Sequence, residues 1–309
     1  MRKISQQFID DLNNNELKPF LDNVKVDDAL CLEIRKNYIN IYYRGGNLFK
    51  ITPSKGKGYK VFFDTGYSKE HREQIESIDP YDCEKWIANA PLLKAEMDRY
   101  LSSHPKLERE FQQLIERENN TSSIAAGTDY FIADIEYANR ANGSRFDMLA
   151  VKWRSCGKGI DRQDPKKATL AFIEVKYGDK ALKNDAGLGK HVADIISFLD
   201  KPDVRRQITE EVNSLYSQKR DLGLMTNAPR EPVQIQPESA MELILLIGNH
   251  NPYSTVLDTE LMAVFKSKDY QSLLGLGCEI KIARASLLGY GLYDNESCMI
   301  PLEKYLNGC

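Results

Sequence analysis

Two short segments hold the residues that could do chemistry: Phe146-Asp147-Met148, and further along Ile173-Glu174-Val175-Lys176. Each lies in an apolar run that reads as a buried β-strand, Arg145 to Val151 and Thr169 to Tyr177. A charge inside such a strand is costly unless it is paired or used. Glu174 and Lys176 stand at i and i+2, so they project from the same face of their strand. If the two strands pair, Asp147 joins them there. Two carboxylates suit a hard divalent cation, Mg²⁺ or Mn²⁺, and the lysine faces the same spot. That set of groups fits metal-assisted phosphodiester hydrolysis. The lysine would orient or deprotonate the attacking water, or neutralise charge developing on the phosphate.

The elements that must position these residues emerge from periodicity. Tyr130 to Tyr137 reads as a strand, and Asn142-Gly143 is a hairpin signal before Arg145 to Trp153 returns. A polar, basic loop covers 155–167, and Thr169 to Tyr177 is the next strand. After a glycine-containing connection, 189–199 is helical, with Val192, Ile195, Ile196 and Leu199 at i, i+3, i+4 and i+7. A helix over about 203–220 precedes Leu243 to Gly248, an aliphatic run that reads as a central strand. A helix near 259–273 and strands near 278–285 and 290–293 close the chain. Upstream, Leu107, Phe111, Leu114 and Ile115 form the apolar stripe of a helix. The expected fold is α/β, a mixed β-sheet flanked by helices. Ahead of it, an amphipathic helix within 1–25 leads to a small β-meander of three strands, 29–34, 38–44 and 59–63. We expect a division into 1–80, the helix and meander, and 81–309, with a core over about 105–250.

Bulk composition narrows the class. With 42 Lys+Arg against 45 Asp+Glu the chain is nearly neutral, so nucleic-acid contact must come from a local patch. Such a patch exists in sequence: residues 140–167 hold eight basic residues against three acids. Arg145, Lys152, Arg154, Lys166 and Lys167 are the candidates for backbone phosphates. The six cysteines and four histidines are scattered with no CxxC, which argues against a disulfide frame or a zinc site. No run of 18 apolar residues occurs, and the first residues lack an apolar signal core, so we expect a cytoplasmic protein without a membrane span.

Asp147 in RFDMLAV and Glu174-Val175-Lys176 in IEVK resemble the signature of the PD-(D/E)XK nuclease superfamily, the restriction-endonuclease-like fold. That family carries an acid on the second core strand and (D/E)xK on the third. Phe146 stands where the family's usual proline would be. The resemblance covers 105–200 and extends to the strand near 245. It implies an endonuclease that needs Mg²⁺ or Mn²⁺ and acts on DNA before RNA. It also implies a microbial defence or restriction setting, and either a homodimer or an activating protein partner. Asp147, Glu174 and Lys176 become the catalytic set. Asp147 and Glu174 become metal ligands, joined by Glu110 from the first core helix, with Glu108 and Glu118 as rivals. Glu136, Lys190 and His191 are accessory candidates.

Each piece also has an ordinary reading. Asp147 could be a strand-end carboxylate paired with Arg145 or Lys152. Glu174 and Lys176 could be an ion pair on an edge strand. Glu110 could be an exposed helix carboxylate, His191 a packed histidine, and the basic loop simply solvated. On that account the chain is an inactive module of the same fold that binds nucleic acid or a protein. Trp153, Tyr137 and Tyr177 would stack bases if exposed, but core packing is their default.

Overall fold

The structure is a computed structural model and describes residues 1–138, 145–153, 168–183, 187–229, 232–250, 255–285, 294 and 299–307. It divides into two compact units. The first comprises Met1–Arg117 with Gln218–Leu224, and the second Glu118–Ser217 with Met225–Cys309. The boundary lies near Arg117, not at residue 80 as the sequence suggests. The helical stretch 81–117 packs with the meander because its apolar side chains, Trp86, Leu93, Met97 and Leu101 among them, enter that unit's core.

The first unit opens with two helices in place of the single expected one, α1 (Gln6–Asn14) and α2 (Lys18–Val26). The Ser5 hydroxyl accepts the Phe8 N–H and caps α1. An antiparallel sheet comes next: β1 (Leu30–Ile34), β2 (Ile39–Tyr43), β3 (Gly46–Ser54) and β4 (Gly58–Phe62), in spatial order β1-β2-β3-β4. Strand β3 is absent from the three-strand expectation, because its own ends, Gly46-Asn47 and Pro53-Ser54, carry turn-forming residues. The turn into it is only two residues long. Arg44 (φ 47°) and Gly45 (φ 75°) both take left-handed conformations, as a tight hairpin demands, and the strand resumes at Gly46. A Cβ on Gly45 would stand 2.8 Å from the Lys106 carbonyl oxygen, so that position has no room for a side chain. Helices α3 (Arg72–Glu76), α4 (Cys83–Ala88), α5 (Ala90–Ser103) and α6 (Leu107–Asn120) complete this part of the chain.

The second unit is the expected α/β layer. Its strands are β5 (Tyr130–Ala138), β6 (Arg145–Lys152), β7 (Thr169–Tyr177), β8 (Met241–Gly248), β9 (Cys278–Ala285) and β10 (Met299–Pro301). They form a mixed six-stranded sheet in the order β10-β9-β8-β7-β6-β5. β5, β6 and β7 run antiparallel, β7, β8 and β9 parallel, and β10 returns antiparallel. The parallel step from β7 to β8 needs a long crossover. Helices α7 (Leu188–Leu199) and α8 (Pro202–Asp221) provide it. Every residue of β8 is buried, as its aliphatic run requires. The expected helix near 259–273 is two, α9 (Val256–Phe265) and α10 (Lys268–Gly275), and α11 (Leu302–Asn307) succeeds β10. The strand expected at 290–293 lies outside the described residues. The end of α6 locks onto β5 through Asn120, whose side chain donates to the Ile132 carbonyl (2.9 Å) and accepts the Ile132 N–H (2.8 Å).

Candidate active site

Strands β6 and β7 hold register from Lys152↔Thr169 to Met148↔Ile173, and there the ladder stops. One step further the register would set Asp147 against Glu174. Instead the Asp147 carboxylate takes a ladder role itself: Oδ2 accepts the Val175 N–H at 2.8 Å. Asp147 is thereby tethered to the residue between Glu174 and Lys176. The two apolar runs do pair, and the pairing brings the separated motifs together at one point of the sheet.

Glu174 and Lys176 are each only 3% exposed, in a strand that is buried throughout except at its two ends. They share one face, as their spacing requires, and Lys176 Nζ donates to Glu174 Oε1 at 2.8 Å. Helix α7 covers that face and contributes His191. Its Nε2 lies 2.9 Å from Glu174 Oε1 and 3.1 Å from Lys176 Nζ. Burial alone would raise the Glu174 pKa. The hydrogen bond from His191 and the charge of Lys176 outweigh burial, so the carboxyl sits below its ordinary value and is ionised at neutral pH.

The three polar atoms form a triangle with a built-in conflict. A neutral imidazole Nε2 carries either a proton, which suits Glu174, or a lone pair, which suits Lys176, but not both. The other ring nitrogen, Nδ1, is buried and makes no hydrogen bond among the described residues. The site is therefore charged, desolvated and incompletely satisfied.

The other candidates divide. Lys190, beside His191 on α7, points to solvent. Arg145 is exposed two residues before Asp147. Glu136 has φ 51°, a left-handed conformation that costs a residue of its kind on the order of 1 kcal/mol. The pairs Ile135↔Met148 and Tyr137↔Phe146 bracket it, so the register sets Glu136 opposite Asp147. Arg154, Lys166 and Lys167 lie outside the described residues.

Two expectations are corrected. Glu110 belongs to the first unit, where its carboxylate accepts from Arg44 Nε at 3.2 Å, so it is an ion-pair partner. Lys152 is not a free phosphate contact. It is 13% exposed and pairs with Glu242 and Asp294. Lys281 pairs with the same two acids, each at 3.0 Å, and the Tyr130 hydroxyl donates to Glu242 Oε2 at 2.7 Å. This ring of two ammonium groups and two carboxylates is missed by sequence reasoning. A signal for it exists, since Glu242 interrupts an apolar run just as Glu174 does. Trp153 and Tyr137 are core residues and cannot stack bases.

One further cluster has the spacing of metal ligands. In the first unit Cys31, Glu33 and Glu116 bring their donor atoms within 4.8 Å of one another, the one such group among the described residues. Its cation position is already taken. Lys219 Nζ, fully buried, lies 2.7 Å from Glu33 Oε1 and 3.2 Å from Glu116 Oε1. Burial and the two acids push the Cys31 thiol well above its ordinary pKa, away from the thiolate a metal would need. We read this cluster as a structural ion network.

Neither a protein-family profile, nor a curated protein, nor a solved structure matches this chain.

Proposed function

We propose that this chain is a metal-dependent nuclease of the PD-(D/E)XK kind, hydrolysing phosphodiester bonds in nucleic acid, DNA before RNA. One observation carries the reading: a buried carboxylate and ammonium, Glu174 and Lys176, are paired on β7, and Asp147 of β6 is tethered between them. Desolvation offsets most of what such a buried pair contributes to stability.

The donor set suits a hard cation. Asp147 and Glu174 offer carboxylate oxygens, Glu174 is held ionised, and among the described residues no cysteine stands beside them to favour a softer metal. Asp147 and Glu174 would hold Mg²⁺ or Mn²⁺, with Glu136 the accessory carboxylate nearest in register. Such an ion, when bound, polarises the phosphate and acidifies water. Lys176, held by Glu174, presents its ammonium to the attacking water or to the charge gathering on the phosphate. His191 holds the Glu174 carboxylate in place and α7 keeps bulk water out. Arg145 meets the adjacent backbone.

The deciding experiment is a cleavage assay with wild type and Asp147→Ala in Mg²⁺, Mn²⁺ or EDTA. Its substrates are supercoiled plasmid, linear duplex, single-stranded DNA and RNA. Cleavage that needs metal and vanishes in the variant supports the reading; a fully active Asp147→Ala or Glu174→Ala protein ends it. Cutting of both duplex strands would favour a homodimer, with two sites facing antiparallel strands. A requirement for an activating partner, a role in defence and a cytoplasmic setting belong to the same reading.

A second reading has its own observation. Glu174 is already compensated by Lys176 and His191, so the site can stand without a cation, as an inactive nucleic-acid- or protein-binding module would. Titration calorimetry with Mn²⁺ separates the two. Binding that is lost in Asp147→Ala favours the enzyme, and absence of binding to wild type favours the module.

A further inference from the structure

The parallel strands β7 and β8 end side by side, and the residues just beyond their ends form a second polar pair. Tyr177 is in register with Gly248, and the Gly178 N–H extends the ladder to the Gly248 carbonyl at 2.8 Å. Both chains then leave through a left-handed residue, Gly178 at φ 75° and Asn249 at φ 51°. Glycine takes this conformation freely, and asparagine better than most residues. These matched turns bring Asp179 and His250 together, with Nδ1 2.7 Å from Asp179 Oδ1. Their side chains remain 23% and 14% exposed.

The position of the pair gives it meaning. Lys176 is in register with Ile247, so Asp179 and His250 each stand three residues beyond the level of the candidate site, on its own two strands. This is the carboxyl edge of the parallel strands, where open α/β sheets take their ligands. Asp179 fixes the His250 ring by holding the Nδ1 proton, and Nε2 carries no hydrogen bond among the described residues. With both nitrogens protonated, the imidazolium would bridge the carboxylate on one side and an anion on the other.

We infer that His250, oriented by Asp179, contacts the phosphodiester backbone beside the scissile group and so positions the nucleic acid. This rests on the nuclease reading above, which assigns the neighbouring site. The competing role is purely structural, a tie between the exits of β7 and β8.

The test compares full-length wild type with His250→Asn, whose amide can keep the bond to Asp179, and with Asp147→Ala. Affinity for a DNA duplex is measured with Ca²⁺ in place of Mg²⁺ over stepped salt concentrations, kcat and KM with Mn²⁺, and folding by thermal melting. His250→Asn should melt like wild type, bind about tenfold more weakly, raise KM about as much, keep kcat within about twofold, and lower the salt-dependence slope by about one. A variant with unchanged Kd, KM and slope overturns the inference while leaving a metal-dependent wild type intact. A wild type that binds DNA but never cleaves it removes the nuclease reading alone, since the salt slope still reports His250. A wild type that neither binds nor cleaves removes both.

Discussion

Replacing Lys176 with methionine tests the site where its electrostatics are most exposed to refutation. The substitution keeps the length and apolar stem of the side chain and deletes only the charge. In the wild type that charge lies 2.8 Å from Glu174 Oε1, and both residues are 3% exposed. Removing one member of a buried pair costs about 3–5 kcal/mol, because the other is left as an uncompensated charge. Here His191 Nε2 remains 2.9 Å from the same oxygen and can take over part of the role, which sets the expectation near the lower figure. For a unit in the 150–250-residue class, 3 kcal/mol corresponds to about 6–12 °C in Tm. The divalent cation should then act in the opposite direction. With Lys176 gone, the ion meets Glu174 without a competing ammonium, so Mn²⁺ should stabilise Lys176→Met more than wild type. At one hundred times its Kd it would restore about 2.7 kcal/mol. Cleavage should nevertheless stay lost, by about a thousandfold or more, because the metal replaces the charge of Lys176 but not its proton chemistry. Thermal melting with EDTA or Mn²⁺, beside a single-turnover cleavage assay, reads all three effects. A Lys176→Met protein that melts with wild type in EDTA, and gains no more from Mn²⁺ than wild type does, would refute the coupling between Lys176, Glu174 and the metal.

The same geometry sets further outcomes. Glu174 has a folded-state pKa below its ordinary 4.5, so its contribution to stability is complete above that pH and is lost as pH falls through the folded value. Glu174→Gln should therefore show a shallower acid-unfolding limb below about pH 4.5, and an unchanged limb would count against the pairing. Lys219→Met should cost the first unit about 3–5 kcal/mol in urea unfolding, since Glu33 and Glu116 lose the cation between them. A loss under about 1 kcal/mol would show that the cluster holds another cation, and added metal would then stabilise the variant. Lys152→Met should lower stability by breaking the ring with Glu242 and Asp294, yet leave the salt dependence of DNA binding unchanged. A reduced salt slope would return Lys152 to the phosphate contacts.

Much of the site is legible in the sequence because local chemistry and fold agree there. The alternation of Ile173-Glu174-Val175-Lys176 puts two charges on one face of any strand, and the surrounding aliphatic residues require that face to be covered. The α7 spacing of Val192, Ile195 and Leu199 likewise predicts the helix itself, with His191 one step round from the apolar stripe; that it lies over this face is decided by the fold. Glu110 is misplaced by sequence for an equally physical reason. A helix phase says which side a carboxylate takes, not which partner awaits it, and the partner is Arg44, distant in sequence and presented by a hairpin turn. The same limit hides the ring around Glu242 and the network around Lys219, whose members come from strands and helices far apart in the chain.

By itself, then, the sequence determined the α/β class, the strands β5 to β9, the crossover helices and the shared face of Glu174 and Lys176. These depend on side-chain period and turn chemistry, which act over a few residues. The tertiary structure alone decided that helices 81–117 join the first unit, that the β6–β7 ladder ends where Asp147 takes the Val175 N–H, and that Asp179 meets His250. It also decided which lysines are enclosed and which carboxylates are already neutralised. Those outcomes turn on distances between segments that neither periodicity nor propensity encodes, and on burial, which sets the energy of a charge only once the chain has closed around it.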